Sequence, residues 1–118
     1  MLASRGEIRI HEILESNGLN FKEEYTIPGL NSSNGKPLRF DFAVFDDDGN
    51  LDFLIEYQGR QHYEASNKFG GKRGLYQQQF NDNKKRRYCA LHGINLIEIP
   101  YTEEYLVDYD YIMNRAGY

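Results

Sequence analysis

The spacing of hydrophobic positions along the 118-residue chain predicts alternating helices and strands. Near the N-terminus, Ile10, Ile13 and Leu14 recur at helical spacing, which indicates an amphipathic helix. Later runs of branched and aromatic residues favour strands. The predicted elements are a helix that starts at Ser4 and closes at Asn17-Gly18, strands over 21–25, 38–45 and 51–58, a helix over 73–92, a strand over 94–100 and a helix over 102–116.

This order of elements, αβββαβα, predicts an α/β fold. The helix between the third and fourth strands permits a parallel crossover, so we expect a mixed four-stranded sheet flanked by helices. Residues 28–37 are rich in turn formers and predict a loop. A length of 118 residues fits a single domain over 1–118.

The central hairpin carries acidic residues where apolar residues are expected. The Asp48-Gly49 pair predicts a two-residue turn, and this register places Val44 opposite Phe53 and Asp41 opposite Glu56. Directly opposed Cβ atoms lie roughly 4.5–5.5 Å apart, where two like charges repel by on the order of 3 kcal/mol at an effective dielectric near 20. A divalent cation such as Mg²⁺ would turn this repulsion into a binding site.

Composition and charge narrow the classes of protein. With 40% hydrophobic and 27% charged residues, the chain has the composition of an ordinary soluble globular protein. The single Cys89 excludes an internal disulfide and a multi-cysteine zinc site, and it favours a reducing cytoplasm. No long apolar segment predicts a signal peptide or a membrane span. A net charge of −4 argues against general nucleic-acid affinity but leaves room for a local basic face at residues 84–87.

Four motifs follow one another in the order of these elements. They are SRGEIRIHEIL with Glu7, LRFDFAV with Asp41, LIEYQGRQHY with Glu56 and His62, and FNDNKKRRYCALHGINLIEIPY with Asp82. Together, over residues 4–101, they resemble the PD-(D/E)xK nuclease core, and more closely its very-short-patch-repair-like (EDxHD) branch. The resemblance implies a restriction-endonuclease-like fold and a DNA endonuclease that uses Mg²⁺, with Mn²⁺ as a substitute.

The chain departs from the standard motif at two positions. Phe40 stands where the motif has proline, and Gln58 stands where it has lysine. In the EDxHD branch a histidine a few residues later serves in place of the lysine, and His62 lies at that place. The structural zinc of very-short-patch-repair enzymes cannot be rebuilt with one cysteine, so their mismatch specificity is not carried over.

The resemblance implies a role for each motif residue. Asp41 and Glu56 would hold the metal, and His62 would act as the general base. Asp82 would orient His62 through a hydrogen bond, or else belong to a solvated helix face. Glu7 would approach the metal or its waters, although a capping box explains it equally well.

Other residues are expected to support this site or to contact DNA. Gln58 and Gln61 would position water or His62. Basic residues would neutralise phosphate charge, although such charge runs are commonly just solvated. The expected DNA contacts are Arg39, Lys72, Arg73, Lys84 and Lys85, together with the loop over 67–74 that contains Lys68.

Two alternatives to a nuclease stay open. One is a non-catalytic nucleic-acid-binding module of the same fold, and the other is an interaction or inhibitor protein. For a nuclease, the expected partner is DNA, with a separate protein as an alternative source of targeting. The expected setting is the cytoplasm of a bacterial or phage-infected cell, and no membrane association is expected.

Overall fold

The four-stranded sheet and its helices follow the predicted order. The structure, a computed structural model, describes residues 3–65 and 70–118, apart from the side chain of Gln61. It confirms an α/β fold with a mixed sheet flanked by helices. The elements are α1 (Arg5–Ser16), β1 (Asn20–Asn31), β2 (Pro37–Phe45), β3 (Leu51–Gln58), α2 (Gly71–Leu91), β4 (Asn95–Pro100) and α3 (Tyr109–Arg115), with 3₁₀ turns at Arg60–His62 and Tyr101–Leu106.

The strands lie in the order β1-β2-β3-β4. The first three form an antiparallel meander, and β4 pairs parallel to β3 after the α2 crossover. On one face, Ile10 of α1 and Ile112 of α3 pack with Ile55 and Ile97 of the sheet. On the other face, Cys89 of α2 packs with Leu54. The sheet is therefore covered on both faces, with α2 alone opposite α1 and α3.

The first strand is longer than predicted. The strand predicted over 21–25 continues to Asn31, and the loop predicted over 28–37 shrinks accordingly. The register between β1 and β2 shifts between Thr26 and Asn31. This is because Pro28 has no amide hydrogen to donate and Gly29 has a φ of 88°. Burial of Leu30 keeps this irregular segment on the sheet.

The turn of the central hairpin has three residues, so the prediction of a two-residue turn is wrong. The amide of Asp46 donates to the carbonyl of Asn50 at 2.8 Å and so closes the loop. The Asp46 carboxylate also accepts from the amides of Asp48 and Asn50 at 3.0 and 2.9 Å. An aspartate that caps its own turn in this way favours the longer loop.

A bulge corrects the register after this turn. Phe45 pairs with Leu51 and Val44 pairs with Phe53, which leaves Asp52 as the extra residue. The bulge compensates for the added turn residue. The pairing predicted between residues 42–44 and 53–55 is therefore confirmed although the turn was not.

The helix predicted over 102–116 is broken into a 3₁₀ turn and α3. Asp108 caps α3 by accepting from the amide of Tyr111 at 2.8 Å, which favours a new helix start. Just before it, Val107 is buried and its carbonyl accepts from Arg9 Nε at 2.6 Å. The 3₁₀ turn thus ends where Val107 contacts Arg9 of α1, a residue distant in the chain.

A substitution at Gly6 tests how closely α1 packs on the sheet. A Cβ atom at Gly6 would lie 2.2 Å from the Tyr57 ring. Helix propensity alone predicts that Gly6→Ala stabilises the protein by about 1 kcal/mol, whereas overpacking predicts a loss of about 1–3 kcal/mol. We expect urea denaturation to show the loss of stability that overpacking predicts. Glu12→Ala on the exposed face of α1 should change the unfolding free energy by less than about 0.5 kcal/mol, and a stabilised Gly6→Ala variant would contradict this packing.

Candidate active site

Two acidic side chains meet where β2 and β3 leave their regular pairing. The ladder runs to Phe42 opposite Ile55, and the next link is a hydrogen bond from the Tyr57 amide to Asp41 Oδ2 at 2.7 Å. The charge of Asp41 raises the pKa of Glu56, so the two carboxyl groups interact. The ladder ends before these two residues, so their direct opposition across the two strands stays a prediction.

Burial dominates the titration of both carboxyl groups. It raises the pKa of Glu56 to about 8, against the attraction of the Lys85 ammonium and with the added repulsion of Asp41. Burial also raises the pKa of Asp41; the Tyr57 amide opposes that rise, and the charge of Glu7 adds to it. Several acids therefore share a region in which their negative charge is poorly solvated.

Lys85 lies inside the site. Its Nζ donates to Glu56 Oε1 at 2.7 Å, and only 7% of the residue is exposed. Nζ also lies 5.4 Å from the centroid of the Phe40 ring, within the range of a cation–π contact. An ammonium held in this way is not part of an exposed basic face, so the expected surface contact of Lys85 with DNA does not match its position.

His62 and Asp82 form a second pair beside the carboxylates. His62 Nδ1 lies 2.9 Å from Asp82 Oδ2, and Gln78 Nε2 donates to Asp82 Oδ1 at 3.2 Å. Burial would raise the pKa of Asp82, but the hydrogen bond and charge of His62 outweigh it and lower that pKa. The charge of Asp82 also raises the pKa of Glu56. Asp82 and Lys85 lie three residues apart on α2, so the two pairs are neighbours.

Local structure explains how His62 reaches Asp82. Gly59 precedes the 3₁₀ turn Arg60–His62, and its carbonyl accepts from the His62 amide at 3.0 Å. The turn carries the chain from the end of β3 toward α2. On α2, Gln78, Asp82 and Lys85 share the buried face that their spacing predicted.

Glu7 combines a capping role with a place beside the site. Ser4 Oγ accepts from the Glu7 amide at 3.2 Å and donates to Glu7 Oε1 at 3.0 Å. The predicted start of α1 at Ser4 is confirmed. At the same time, the charge of Glu7 raises the pKa of Asp41. The helix cap therefore holds a third carboxylate near the acidic pair.

The donor set fits a hard cation. Among residues 3–65 and 70–118, no group of three or more His, Cys, Asp or Glu side chains is arranged to hold a metal ion. Mg²⁺ does not require such a cage, because it usually takes one or two carboxylates and completes its shell with water and substrate phosphate. Asp41 and Glu56 are the two carboxyl groups that could meet this requirement, with one oxygen of Glu56 already bound by Lys85.

An open cleft of about 240 Å³ lies against the His62–Asp82 pair, whereas Asp41, Glu56 and Lys85 are not among the residues that line it. Sequence reasoning singled out some of its walls, including Arg86 within the basic face expected over 84–87, but missed Tyr63, Gln79 and Asn83. The helical spacing of Gln79 and Asn83 beside Asp82 could have indicated these two residues. The cleft is lined by Gln58, His62, Tyr63, Gln79, Asp82, Asn83 and Arg86.

Gln58 belongs to the wall of the cleft. Its Nε2 donates to Glu98 Oε1 at 2.6 Å, and its Oε1 accepts from Tyr63 at 2.7 Å. Arg86 Nε donates to both oxygens of Glu98 at 2.8 and 2.9 Å. A network to β4 thus fixes Gln58. The side chain of Gln61, predicted beside it, lies outside the described residues.

The remaining predicted DNA contacts bind other protein groups or are exposed. Arg39 is exposed and pairs with Glu24 at 3.4 Å, and Lys84 Nζ donates to the Asn31 carbonyl. Lys72 and Arg73 are exposed in the first turn of α2. Lys68, in the expected DNA-facing loop, lies outside the described residues. DNA contact by these residues stays a prediction.

Comparison with known proteins finds relatives in viruses. The chain is 52% identical over 54 residues to an uncharacterized protein of Frog virus 3 (isolate Goorha), covering 44% of this chain and 35% of that protein. It is 45% identical over 49 residues to an uncharacterized protein of Invertebrate iridescent virus 3, covering 41% and 25% of the two chains. It is 34% identical over 80 residues to an uncharacterized protein of Invertebrate iridescent virus 6, covering 67% and 41%.

The chain therefore spans between about a quarter and two fifths of the length of these relatives. No protein-family model matches it, and no solved structure matches it. Within the part of the chain that the structure describes, none of the helices has the length and apolar character needed to cross a membrane.

In the presence of a chelator, Glu56→Gln should reduce the pH dependence of the free energy of unfolding. The pKa of Glu56 rises from 4.5 to about 8 on folding, so between these values the folded protein binds more protons than the unfolded chain. The free energy of unfolding therefore falls as pH rises, by at most about 1.4 kcal/mol per pH unit for one group. Urea denaturation from pH 5 to 8.5 measures this slope.

The exposed Glu12→Gln variant serves as the control and should keep the wild-type slope. Equal slopes for wild type and Glu56→Gln would show that Glu56 does not take up a proton on folding.

Proposed function

We propose that the chain is a metal-dependent DNA endonuclease that hydrolyses phosphodiester bonds. The proposal rests on one observation: Lys85 of α2 binds Glu56, while Asp82, one turn earlier on the same helix, pairs with His62 at an open cleft. This arrangement provides ligands for a cation, a candidate base and positive charge for a phosphate. The ordered motifs that resemble the EDxHD nucleases support the same reading.

Asp41 and Glu56 are the residues that would hold Mg²⁺, or Mn²⁺ in its place, and the ion would supply charge stabilisation at the phosphate. Lys85 keeps one oxygen of Glu56 partnered and contributes a positive charge beside the carboxylates. Such preorganised charge favours an anionic group whose charge grows during reaction. Glu7 adds negative charge that favours the bound cation.

In this proposal, His62 takes a proton from water. Asp82 accepts from Nδ1–H, which fixes the ring and leaves Nε2 as the nitrogen that accepts the proton. A carboxylate partner raises the basicity of an imidazole. Gln78 holds the other oxygen of Asp82, so the base is positioned by two residues of the same helix.

DNA is favoured as the substrate by the charge of α2. This helix carries six of the 14 Lys and Arg residues and one acidic residue, although the net charge of the chain is −4. A basic element beside an active-site cleft attracts a polyanion. The viral relatives favour an infected animal cell over the bacterial or phage setting that the resemblance suggested.

A non-catalytic nucleic-acid-binding module is the second candidate. The observation that favours it is the Lys85–Glu56 contact, which partners the carboxylate without a metal. The two candidates differ in whether the protein cleaves the DNA that it binds.

Purified protein should relax or linearise supercoiled plasmid in Mg²⁺ or Mn²⁺ and should leave it intact in EDTA. The reason is that the acidic pair needs a cation before a phosphate can approach. Agarose gel electrophoresis over time measures the conversion. Binding of plasmid without cutting in any divalent metal would favour the non-catalytic module.

His62→Ala should lower the cleavage rate by about 10²-fold or more, the usual contribution of a general base. DNA affinity measured in EDTA should change less than about threefold, because His62 is not among the cationic residues expected to hold the backbone. His92→Ala, which alters an exposed histidine stacked on Tyr88, is the matched control and should cleave normally. Unchanged cleavage by His62→Ala would remove His62 from the mechanism.

A further inference from the structure

The outer face of α2 carries two exposed aromatic residues between two arginines. Arg73, Tyr76, Phe80 and Arg87 lie three, four and seven residues apart, which places them on one face of a helix over about 21 Å. We call these four residues the outer strip. Tyr76 is 64% exposed and Phe80 is 50% exposed. Together with Arg73 and Gln77 they line an open surface depression of about 480 Å³.

The outer strip adjoins the cleft of the candidate active site. Gln79 and Asn83 line that cleft, and each lies three residues from Tyr76 or Phe80 on the same helix. Residues three apart on a helix are surface neighbours. A strand that leaves the cleft across α2 therefore passes onto the outer strip.

Charge identifies the kind of occupant. The outer strip has a guanidinium group near each end and lies on the helix that carries six basic residues and one acidic residue. Exposed aromatic rings without such charges would suit many apolar partners. Aromatic rings bounded by arginines match the two parts of a nucleic acid, its bases and its phosphates.

We propose that the outer strip binds an unpaired stretch of DNA, with Tyr76 and Phe80 stacking on bases and Arg73 and Arg87 contacting phosphates. In a duplex the base faces are stacked on one another, so rings on a protein surface find free base faces only where pairing is broken. The proposal rests on the nuclease function above and names its substrate class. That class is DNA with a single-stranded segment next to the cutting site.

The test compares single-stranded and duplex DNA in EDTA, where binding is measured without cleavage. Fluorescence anisotropy of labelled oligothymidylate and of a duplex of equal length gives both affinities. Tyr76→Ala/Phe80→Ala should weaken single-strand binding about tenfold or more, since each stacked base contributes roughly 1–3 kcal/mol. Duplex binding should change less than about threefold.

Two further variants sharpen this test. Tyr105→Ala removes an aromatic residue that is 77% exposed in the 3₁₀ turn Tyr101–Leu106, and it should leave both affinities unchanged. Phe80→Trp introduces a tryptophan into a chain that has none, and its fluorescence should be quenched by oligothymidylate. Because this variant keeps an aromatic ring, it should also bind single strands as tightly as wild type.

Two results for Tyr76→Ala/Phe80→Ala would overturn the proposal. One is an equal loss of affinity for single-stranded and duplex DNA, and the other is no loss of either affinity. A change in self-association by sedimentation velocity with unchanged single-strand affinity would show a protein interface and would also overturn it. The nuclease proposal is tested by a different experiment. Plasmid left intact in every divalent metal would refute cleavage, but a selective loss of single-strand affinity would still support DNA binding by the outer strip.

Discussion

The contact between Lys85 and Glu56 is the interaction on which the rest of the site depends. It places an ammonium from α2 against a carboxylate in the middle of β3, both nearly removed from solvent. Removing one partner of such a buried pair leaves the other polar group buried without its partner, which is destabilising. The contact therefore fixes α2 over the sheet at one rotation. That rotation brings Asp82 to His62 and, on the opposite side of the helix, turns Tyr76 and Phe80 to solvent.

The same contact gives a physical meaning to the two departures from the standard nuclease motif. Phe40, in the place of a proline, offers its ring to the Lys85 ammonium. Gln58, in the place of a lysine, is held by Glu98 and Tyr63 as part of the cleft wall. Positive charge beside the acidic pair comes from the helix that crosses β3, and the strand itself supplies an uncharged amide.

Acidic crowding and local basic charge have complementary consequences. Burial disfavours the ionised form of Asp41 and Glu56, and a bound cation would favour that form. Around them, α2 presents most of its basic side chains on exposed positions, which favours a polyanion. This combination supports the proposed phosphate chemistry. The net charge of the chain conceals this separation because it averages over the two regions.

Local patterns in the chain were enough to predict the order of the elements, the start of α1 at Ser4, the pairing of residues 42–44 with 53–55 and the shared face of Gln78, Asp82 and Lys85. These features depend on spacing and on capping or turn chemistry within a few residues. The extension of β1, the break before α3 and the inward position of Lys85 depend instead on packing between elements. Leu30 is held by core burial, Val107 by Arg9 from α1, and Lys85 by Glu56, 29 positions away. Such contacts join residues that are distant in the chain, and no local pattern specifies them.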